Sequence, residues 1–355
     1  MSKLDLSYVL PLRWSVDEGL AELTGYLELV AEEAEVIVVD GSAAASFEAH
    51  AVSWAGVVRH LRPAPELTFL NGKVRGVTTG VRAARSENVV VADDDVRYDA
   101  AGLERMARLL EAADLVMPQN YFDPSPFRAR WDDARSLLNR ALTGDFPGTL
   151  GVRRSFFTHM GGYDGDVLFE NLELMRTVAA AGGRVLRADD LLVARRPPTL
   201  RHFLSQRVRQ AYDDFAIPGR MALELTAAPM VALLAAKRKW PALAAVAMLL
   251  SACAEVGRRK TGAGRFFSPT IVLLAPGWAA ERALTSWLAV GLWVVRGGCP
   301  YAGALIPTAA HSMAELRRRA ASGGTAPGGT APGPKAGRLV GAVTEGLDAG
   351  AAAPA

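Results

Sequence analysis

The chain has 355 residues, 40 of them basic and 37 acidic, for a formal net charge of +3. This length fits one substantial α/β domain with an appendage, or two modest domains, and the near balance of charge argues against a nucleic-acid partner. Only two cysteines occur, Cys253 and Cys299, which excludes a disulfide framework and a paired-cysteine zinc site and favours a reducing compartment. Asp5 interrupts the first apolar run, so no secretory signal is predicted.

From the N-terminus to about residue 200, short β-rich runs alternate with amphipathic segments of helical length. The runs are LSYVLPL, EVIVVD, ELTFL, NVVVAD and DLVMP, and the helices among them are predicted over residues 17–33, up to 61, 74–86 and 101–113. This alternation predicts a Rossmann-like α/β fold with a mostly parallel sheet and helices on both faces. Ligands bind at the carboxyl ends of the strands in such sheets. Two acidic strand ends, Asp40 and the group from Asp93 to Asp95, fall at that edge.

Four apolar runs separated by basic segments follow residue 220. Each is shorter than the roughly 20 residues that a perpendicular helix needs to cross a bilayer, so buried helices of a soluble protein are an alternative. Membrane contact is favoured because tryptophans and Lys/Arg groups lie at or near the ends of the runs. The tryptophans are Trp240, Trp278, Trp287 and Trp293. We predict membrane-associated helices that pair as a re-entrant hairpin or lie in the headgroup plane, with the N-terminal domain in the cytoplasm.

These patterns predict three regions. Residues 1–200 form the α/β domain, and residues 201–320 contain an interface helix followed by the apolar helices. Residues 321–355 are rich in Gly, Ala and Pro and contain the near-repeat GGTAP. They cannot bury enough apolar surface to offset the entropy of ordering, so we predict a disordered tail.

Three consecutive carboxylates, Asp93, Asp94 and Asp95, follow the apolar run VVVA. Like charges side by side repel unless a cation compensates them, and Arg97 supplies a single charge. Carboxylates at positions i and i+2 after a strand can face one hard cation, and Mg²⁺ or Mn²⁺ is usually held by one or two carboxylates plus phosphate oxygens. Asp93 and Asp95 therefore predict a metal site, with Asp94 free to bond a ribose or a backbone amide. The alternative is a helix cap beside solvated carboxylates, since a short motif alone is weak evidence.

Other polar groups accompany this motif. Asp40 and Gly41 form a strand-to-turn junction whose carboxylate could recognise a nucleobase or a ribose. Lys73 lies at the start of a predicted helix, where cations and free backbone amides meet phosphate. Glu170 opens a helix after a glycine-rich turn, and the segment QRVRQ lies on a helix just before the apolar region. Together these residues predict a site for a nucleotide diphosphate.

In this order and spacing, the motifs resemble the family 2 glycosyltransferases of the GT-A fold, and among them the membrane-associated ceramide glucosyltransferase-like proteins, over about residues 5–300. The resemblance implies that Pro11 and Asp40 hold the nucleotide base and that Asp93 and Asp95 hold the metal ion and the donor diphosphate. It also implies a QxxRW element that closes over the diphosphate, matched here by Gln206 and Arg209. The full set of donor-binding residues is Pro11, Asp40, Gly41, Lys73, Asp94, Gln206 and Arg209. The implied partners are Mn²⁺ or Mg²⁺, a UDP- or GDP-sugar donor, a lipid or glycan acceptor and a membrane.

Two departures from the family pattern are visible. The usual Glu-Asp pair at the acceptor site is Glu170-Asn171 here, and asparagine cannot take a proton at neutral pH. Glu170, or Glu173 along the same helix face, must then act as the base, and we prefer Glu170. The tryptophan of QxxRW is replaced by Gln210, which removes an aromatic side chain but keeps the glutamine and the arginine.

The predicted activity is metal-dependent transfer of a sugar from a nucleotide-diphosphate donor to a hydroxyl, with inversion. A divalent ion and nearby cations compensate the leaving diphosphate, while the base deprotonates the acceptor. One alternative is a non-catalytic, nucleotide-binding membrane scaffold with a degenerate site, which Asn171 would suggest. Another is a sugar nucleotidyltransferase, whose Gly-rich basic loop after the first strand is represented here only by Arg13.

Overall fold

The computed structural model describes residues 3–15, 17 and 19–322, so the predicted tail from residue 323 onward lies outside the described residues. The strands are β1 (Leu6–Leu12), β2 (Glu35–Asp40), β3 (Arg59–Leu61), β4 (Asn88–Ala92), β5 (Val96–Arg97), β6 (Leu115–Phe122), β7 (Thr149–Arg153), β8 (Val185–Arg195), β9 (Cys299–Tyr301) and β10 (Ala304–Ile306). The α-helices are α1 (Leu20–Glu33), α2 (Ala44–Ser53), α3 (Gly72–Ala83), α4 (Ala100–Leu110), α5 (Phe127–Leu142), α6 (Arg154–His159), α7 (Glu170–Ala180), α8 (Leu200–Ser205), α9 (Arg207–Tyr212), α10 (Pro218–Ala236), α11 (Trp240–Arg259), α12 (Ala275–Arg296) and α13 (Met313–Ala321).

The first eight strands form one mostly parallel sheet in the order β3-β2-β1-β4-β7-β6-β8-β5. Strands β1 to β4 pair in parallel, as do β6 and β8, whereas β7 runs antiparallel between β4 and β6 and β5 runs antiparallel to β8. Apolar cores cover both faces, because the central strands are buried almost without interruption. The predicted α/β fold of the GT-A type is confirmed.

One predicted strand is wrong. ELTFL, residues 66–70, is irregular, and the strand of this region is β3. Pro63 and Pro65 stand directly before the segment, and proline removes the amide donors that a strand needs. Leu67 and Phe69 are nevertheless buried in the core. The apolar pattern therefore predicted the burial of these side chains correctly but the β-strand incorrectly.

Helix α3 lies unusually close to strand β1. A Cβ atom at Gly80 would lie 2.3 Å from Val9 Cγ1, and one at Gly76 would lie 2.7 Å from Pro11 Cβ. Only glycine allows this approach, which brings the N-terminus of α3 to the carboxyl edge of the sheet. Asn71 caps that end by accepting a hydrogen bond from the Lys73 amide at 3.1 Å. The side chain of Lys73 thereby starts beside the acidic strand end.

Helices α10 and α11 form an apolar hairpin with a basic tip. Both are long and apolar enough to cross a membrane, over Pro218–Ala236 and Trp240–Arg265, and few of their residues are buried. In α10 only Met221 and Glu224 are buried, and in α11 only Ala254 and Gly257. Most of the hairpin therefore presents apolar side chains outward, which is compatible with membrane association.

The hairpin is joined to the α/β domain through α5. Gly257 approaches α5 so closely that a Cβ there would lie 1.9 Å from the Leu137 carbonyl oxygen. The buried Arg140 reinforces this contact by donating hydrogen bonds to Gln119 Oε1 at 3.1 Å, to the Lys260 carbonyl at 3.0 Å and to the Gly257 carbonyl at 3.3 Å. Backbone contact combined with a satisfied buried cation makes this a rigid junction.

The tryptophans differ from the sequence expectation at one position. Trp240, Trp287 and Trp293 are exposed, as interface anchors should be, but Trp278 is only 6% exposed and packs in the cluster between α5 and α12. The run that contains it is therefore partly a soluble core. Periodicity could not reveal this, since a buried helix and a lipid-facing helix are both apolar.

Helix α13 is fastened to the back of α7 by Glu173 and His311. Glu173 is fully buried, and its carboxylate accepts the His311 amide at 2.8 Å and faces His311 Nδ1 at 2.8 Å. Burial alone would lower the pKa of His311, but Glu173 outweighs it and raises the pKa. Asp164 and Glu315 also face the ring, at 3.9 and 3.8 Å, and Arg319 opposes them.

This contact predicts a pH-dependent C-terminal end. Because the folded pKa of His311 lies above the unfolded value of about 6.5, the contact stabilises fully below that pH and is lost as pH rises through the folded pKa. We expect hydrogen exchange in residues 311–322, corrected for intrinsic rates, to accelerate as the pH rises above about 6.5. His311→Gln should abolish the difference, and an equal acceleration in that variant would contradict the assignment.

Candidate active site

The acidic strand end and two helix N-termini meet at the carboxyl edge of the sheet. The Lys73 ammonium lies 2.5 Å from Asp93 Oδ1 and 2.6 Å from Glu170 Oε1, so one cation bridges the carboxylates of β4 and α7. These three residues are far apart in sequence, and the close packing of α3 on β1 brings Lys73 to the other two. The structure thus gathers three of the predicted site residues into one cluster.

A second cation, Arg195 at the end of β8, compensates the charge of Asp95 and part of that of Asp93. Its Nη2 lies 2.7 Å from Asp95 Oδ2 and 3.7 Å from Asp93 Oδ2, and its Nε lies 3.0 Å from Asp95 Oδ1. Asp93 and Asp95 are about a quarter exposed, so the corner is open to solvent. The two predicted metal ligands therefore face one point in space, and a guanidinium nitrogen lies there.

The two carboxyl groups respond differently to this environment. Burial would raise the pKa of Asp93, but the charges of Lys73 and Arg195 hold it below the ordinary value. Burial raises the pKa of Asp95, and Arg195 offsets only part of that effect. The pKa of Lys73 is raised, because Asp93 and Glu170 outweigh the effect of burial. The neighbouring cations therefore outweigh burial at Asp93 but not at Asp95.

The middle carboxylate points elsewhere. Asp94 accepts a hydrogen bond from the Trp14 indole at 2.5 Å, whereas Arg97 pairs with Glu22 and with the Asp94 backbone carbonyl. Neither Trp14 nor Arg97 contacts Asp93 or Asp95 in the part of the chain that the structure describes. Asp94 thus faces Trp14 in the loop after β1.

The acceptor-side helix separates the two candidate bases. Glu170 is the first residue of α7 and its carboxylate belongs to the Lys73 cluster, with 11% of its side chain exposed. Asn171 donates to the Pro147 carbonyl at 3.0 Å and has its amide oxygen 3.5 Å from Lys73. Glu173 faces His311 and is fully buried. The geometry leaves Glu170 at the site and places Glu173 behind the helix.

Asp40 lies in a buried network of its own. Its carboxylate accepts the Ser42 amide at 2.8 Å and faces His50 Nδ1 at 2.6 Å and His60 Nε2 at 3.1 Å. The other ring nitrogen of His50 lies 3.2 Å from Asp17 Oδ1. Both histidines are therefore hydrogen-bonded to Asp40. Pro11 and Gly41 lie nearby on the adjacent strand ends, where the Gly41 amide donates to the Leu12 carbonyl at 2.8 Å.

The QRVRQ segment is divided between α8 and α9. Arg209 is close enough to Asp93 and Glu170 to affect the electrostatics of both, and its guanidinium lies 5.3 Å from the centre of the Tyr301 ring. Gln206 is hydrogen-bonded to His202 and Gln210. The structure therefore brings Arg209 to the acidic cluster and leaves Gln206 at its margin.

Comparison with known families decides how this edge is classified. Residues 21–165 match the model "Glycosyl transferase family 2", a segment that includes Asp40, Lys73 and Asp93 to Asp95. This segment is therefore similar to the family 2 glycosyltransferases. No curated protein sequence matches the chain significantly.

Solved structures similar to the chain include three complexes. Mannosyltransferase PcManGT from Pyrobaculum calidifontis, solved with GDP-Man and Mn²⁺, is 15% identical over 90% of this chain and 80% of its own, with a TM-score of 0.42. Glucosyl-3-phosphoglycerate synthase from Mycobacterium tuberculosis, solved with Mn²⁺, UDP and glucosyl-3-phosphoglycerate, is 18% identical over 56% and 74%, with a TM-score of 0.38. S. aureus TarS residues 1–349, solved with UDP-GlcNAc, is 14% identical over 56% and 60%, with a TM-score of 0.40.

The sequence did not identify three residues near this cluster, which are Arg195, Tyr301 and Asp213. Arg195 could have been predicted, because Arg195 and Arg196 form a basic pair at the end of a strand and such a pair can compensate acidic residues at another strand end. Tyr301 approaches Arg209 from the β9–β10 hairpin, and no local pattern announced this. Burial raises the pKa of Asp213 to about 7 beside Arg209; the DD pair after QRVRQ was visible in the sequence, but its burial was not.

Proposed function

We propose that the protein transfers a sugar from a UDP- or GDP-sugar to a hydroxyl of a lipid or glycan at a membrane surface, with inversion and with Mn²⁺ or Mg²⁺. The observation that carries this proposal is the Lys73 bridge between Asp93, which lies in the segment that matches the family 2 model, and Glu170, which follows that segment. It joins a carboxylate suited to a metal, a cation suited to diphosphate and a carboxylate suited to a base within one hydrogen-bonded cluster.

The donor set fits a hard divalent ion. Two carboxylates separated by one residue face a common point, and Arg195 Nη2 stands at that point as a cationic substitute. Carboxylate oxygens are the ligands that Mg²⁺ and Mn²⁺ prefer. PcManGT and glucosyl-3-phosphoglycerate synthase were solved with Mn²⁺, which supports the same class of ion here. When bound, such an ion would compensate the charge of the departing diphosphate.

The chain's own residues supply the remaining steps. Lys73 and Arg209 would bond the diphosphate oxygens and balance the charge that grows as the bond from the anomeric carbon to the diphosphate breaks. Glu170 would take the proton of the acceptor hydroxyl as that oxygen bonds the anomeric carbon from the opposite face. The products are the glycoside and the nucleoside diphosphate. Lys73 holds the Glu170 carboxylate at the site through a contact of 2.6 Å.

The nucleotide base belongs at the ends of β1 and β2. Both oxygens of Asp40 are already hydrogen-bonded, so we propose that Asp40 shapes this pocket through Ser42 and the two histidines, while Pro11 and Gly41 line it. We assign Asp94 and Gln206, which lie beside the acidic cluster, to ribose and diphosphate contacts.

Membrane attachment is assigned to the α10–α11 hairpin. Beyond its buried base, α10 has 12 residues and α11 has 14, or about 18 and 21 Å of helix at 1.5 Å per residue. The hydrocarbon core is about 30 Å thick, so the free part is too short to cross it. The tip carries Lys237, Arg238 and Lys239, whose charge at the bilayer centre would be costly. We therefore infer that the hairpin lies in the interface of the cytoplasmic leaflet, with its basic tip at the anionic headgroups.

Vesicle flotation tests this orientation. The wild-type chain should bind vesicles that contain anionic lipid more strongly than neutral ones, and Lys237→Glu with Lys239→Glu should lower that binding by about thirtyfold, at about 1 kcal/mol per basic residue removed. The matched control reverses two exposed charges on α13, Arg317→Glu with Arg318→Glu, and should bind as the wild type does. Equal binding by both double variants would contradict the assignment of the tip.

A donor screen tests the activity itself. UDP- and GDP-sugars should each be tried with Mn²⁺, because the true donor raises the unfolding temperature in proportion to its affinity. Release of nucleoside diphosphate in the presence of a lipid or glycan acceptor then identifies transfer. If a donor stabilises the protein but no nucleoside diphosphate is released with any lipid or glycan acceptor, the protein is a nucleotide-binding scaffold and not an enzyme.

A further inference from the structure

Arg195 occupies the position between Asp93 and Asp95 that a metal ion would take. Its guanidinium makes three contacts to Asp95, from Nε at 3.0 and 3.1 Å and from Nη2 at 2.7 Å. The same Nη2 lies 3.7 Å from Asp93 Oδ2. One nitrogen therefore faces one oxygen of each carboxylate, and those are the oxygens that point into the corner.

The surroundings hold this arginine in place. Strands β5 and β8 pair Val96 with Arg195, and the Arg196 amide donates to the Asp95 carbonyl at 2.7 Å. On the other side, a Cβ atom at Gly148 would lie 2.8 Å from the Arg195 guanidinium carbon and 2.9 Å from Asp93 Oδ2. The absence of a side chain at Gly148 leaves the space in which the guanidinium and the carboxylate meet.

Arg195 and a divalent ion cannot both use this corner. They would compete for the same carboxylate lone pairs, and two cations a few ångströms apart repel strongly in a partly buried site. Lys73 does not remove the conflict, because its ammonium is shared between Asp93 and Glu170. For an ion to enter, the guanidinium must leave, and it then needs another anion. The donor diphosphate is the anion that arrives at this edge.

We propose that Arg195 blocks metal binding until the donor arrives, so that the metal and the nucleoside diphosphate load together. The inference rests on the proposed function. On loading, the guanidinium exchanges Asp95 for the diphosphate, which guanidinium groups bind well. Metal alone then binds weakly, and each ligand strengthens the binding of the other.

Mn²⁺ titration of the full chain without nucleotide tests the proposal, with free Mn²⁺ followed by electron paramagnetic resonance. Arg195→Gln should bind Mn²⁺ about tenfold or more tightly than the wild type, since a competing charge-assisted hydrogen bond is gone. Arg196→Gln is the matched control: it removes the same charge from the next residue, which pairs with Glu22 and the Asp123 carbonyl, and should stay within about twofold of the wild type. Adding UDP or GDP should strengthen Mn²⁺ binding more in the wild type than in Arg195→Gln.

The outcomes distinguish a failure of the proposed role of Arg195 from a failure of the proposed metal site. If Arg195→Gln binds Mn²⁺ no more tightly than the wild type, but Asp93→Asn abolishes Mn²⁺ binding in the presence of nucleotide, then the role of Arg195 is overturned and the metal site is retained. Wild-type Mn²⁺ binding that Asp93→Asn leaves unchanged overturns the metal site itself, and the proposed function with it. Equal gains in Arg195→Gln and Arg196→Gln would reduce the effect to net charge and also overturn the proposal. Misfolding cannot imitate the expected result, because it would weaken binding.

Discussion

Asp93→Asn is expected to lower sugar transfer by about 10³-fold or more, since it removes both a metal ligand and the charge that Lys73 answers. Asparagine keeps the shape of the side chain and can still meet Lys73 through its oxygen, so the fold should survive. Mn²⁺-dependent stabilisation by the nucleotide sugar should disappear together with transfer. Release of nucleoside diphosphate and the unfolding temperature with donor and Mn²⁺ measure the two effects. Asp95→Asn should behave in the same way, because its carboxylate faces the same point.

Asp190→Asn supplies the control for these variants. Asp190 lies on β8, is exposed and pairs with Arg105 at 3.3 Å, away from the acidic corner. Removing its charge should leave transfer and donor binding unchanged, because exposed ion pairs contribute little. Substantial transfer by Asp93→Asn at saturating Mn²⁺ would show that the enzyme does not need this carboxylate.

Glu170→Gln is expected to reduce turnover by about 10² to 10⁴-fold while leaving Mn²⁺-dependent donor binding within a few-fold of the wild type. The amide oxygen can keep the contact with Lys73, but the side chain can no longer accept a proton. Single-turnover transfer and thermal stabilisation by donor, measured on the same protein, separate these effects. Loss of turnover with donor binding preserved identifies a base, as distinct from a donor ligand.

Asn171→Ala is the matched control on the neighbouring residue. It removes a hydrogen bond to Pro147 and a long contact to Lys73 but no titratable group, so substantial turnover should remain. A Glu170→Gln enzyme that transfers at the wild-type rate would refute the assignment. If Asp213→Asn were inactive in that case, the base would be Asp213, the carboxyl group with a pKa of about 7 beside Arg209.

The fold was largely predictable, because alternating apolar strands and amphipathic helices permit few arrangements. The apolar periodicity found β1, β2, β4 and β6 and helices between them, but it extended the second helix to residue 61, where the structure has β3. It failed at residues 66–70, where two prolines break the backbone pattern but not the burial, and at Trp278, where a core and a bilayer select the same residues. Both errors arise because hydrophobicity reports removal from water and says nothing about what replaces the water.

The site was predictable as a set of residues but not as a set of partners. Glu173 and Glu170 fit the same helical face, yet the position of α13 behind α7 assigns one to His311 and leaves the other to the cluster. Asp40 looked free because His50 and His60 are 10 and 20 residues away. Arg195 lies 100 residues from Asp95. Such pairings depend on strand order, and motif spacing does not encode strand order.

The seam between Gly257 and the Leu137 carbonyl has a consequence for where the chemistry happens. Because backbone touches backbone there and Arg140 hydrogen-bonds across the contact, the hairpin that we propose to bind lipid and the edge that we propose to bind the donor cannot pivot independently. The catalytic cleft should therefore stand at a constant height and tilt above the headgroups. An acceptor of matching reach would be selected before any contact with its sugar or hydroxyl. Truncating the chain before Pro218 would expose the inner face of α5 and remove this constraint on the height of the cleft.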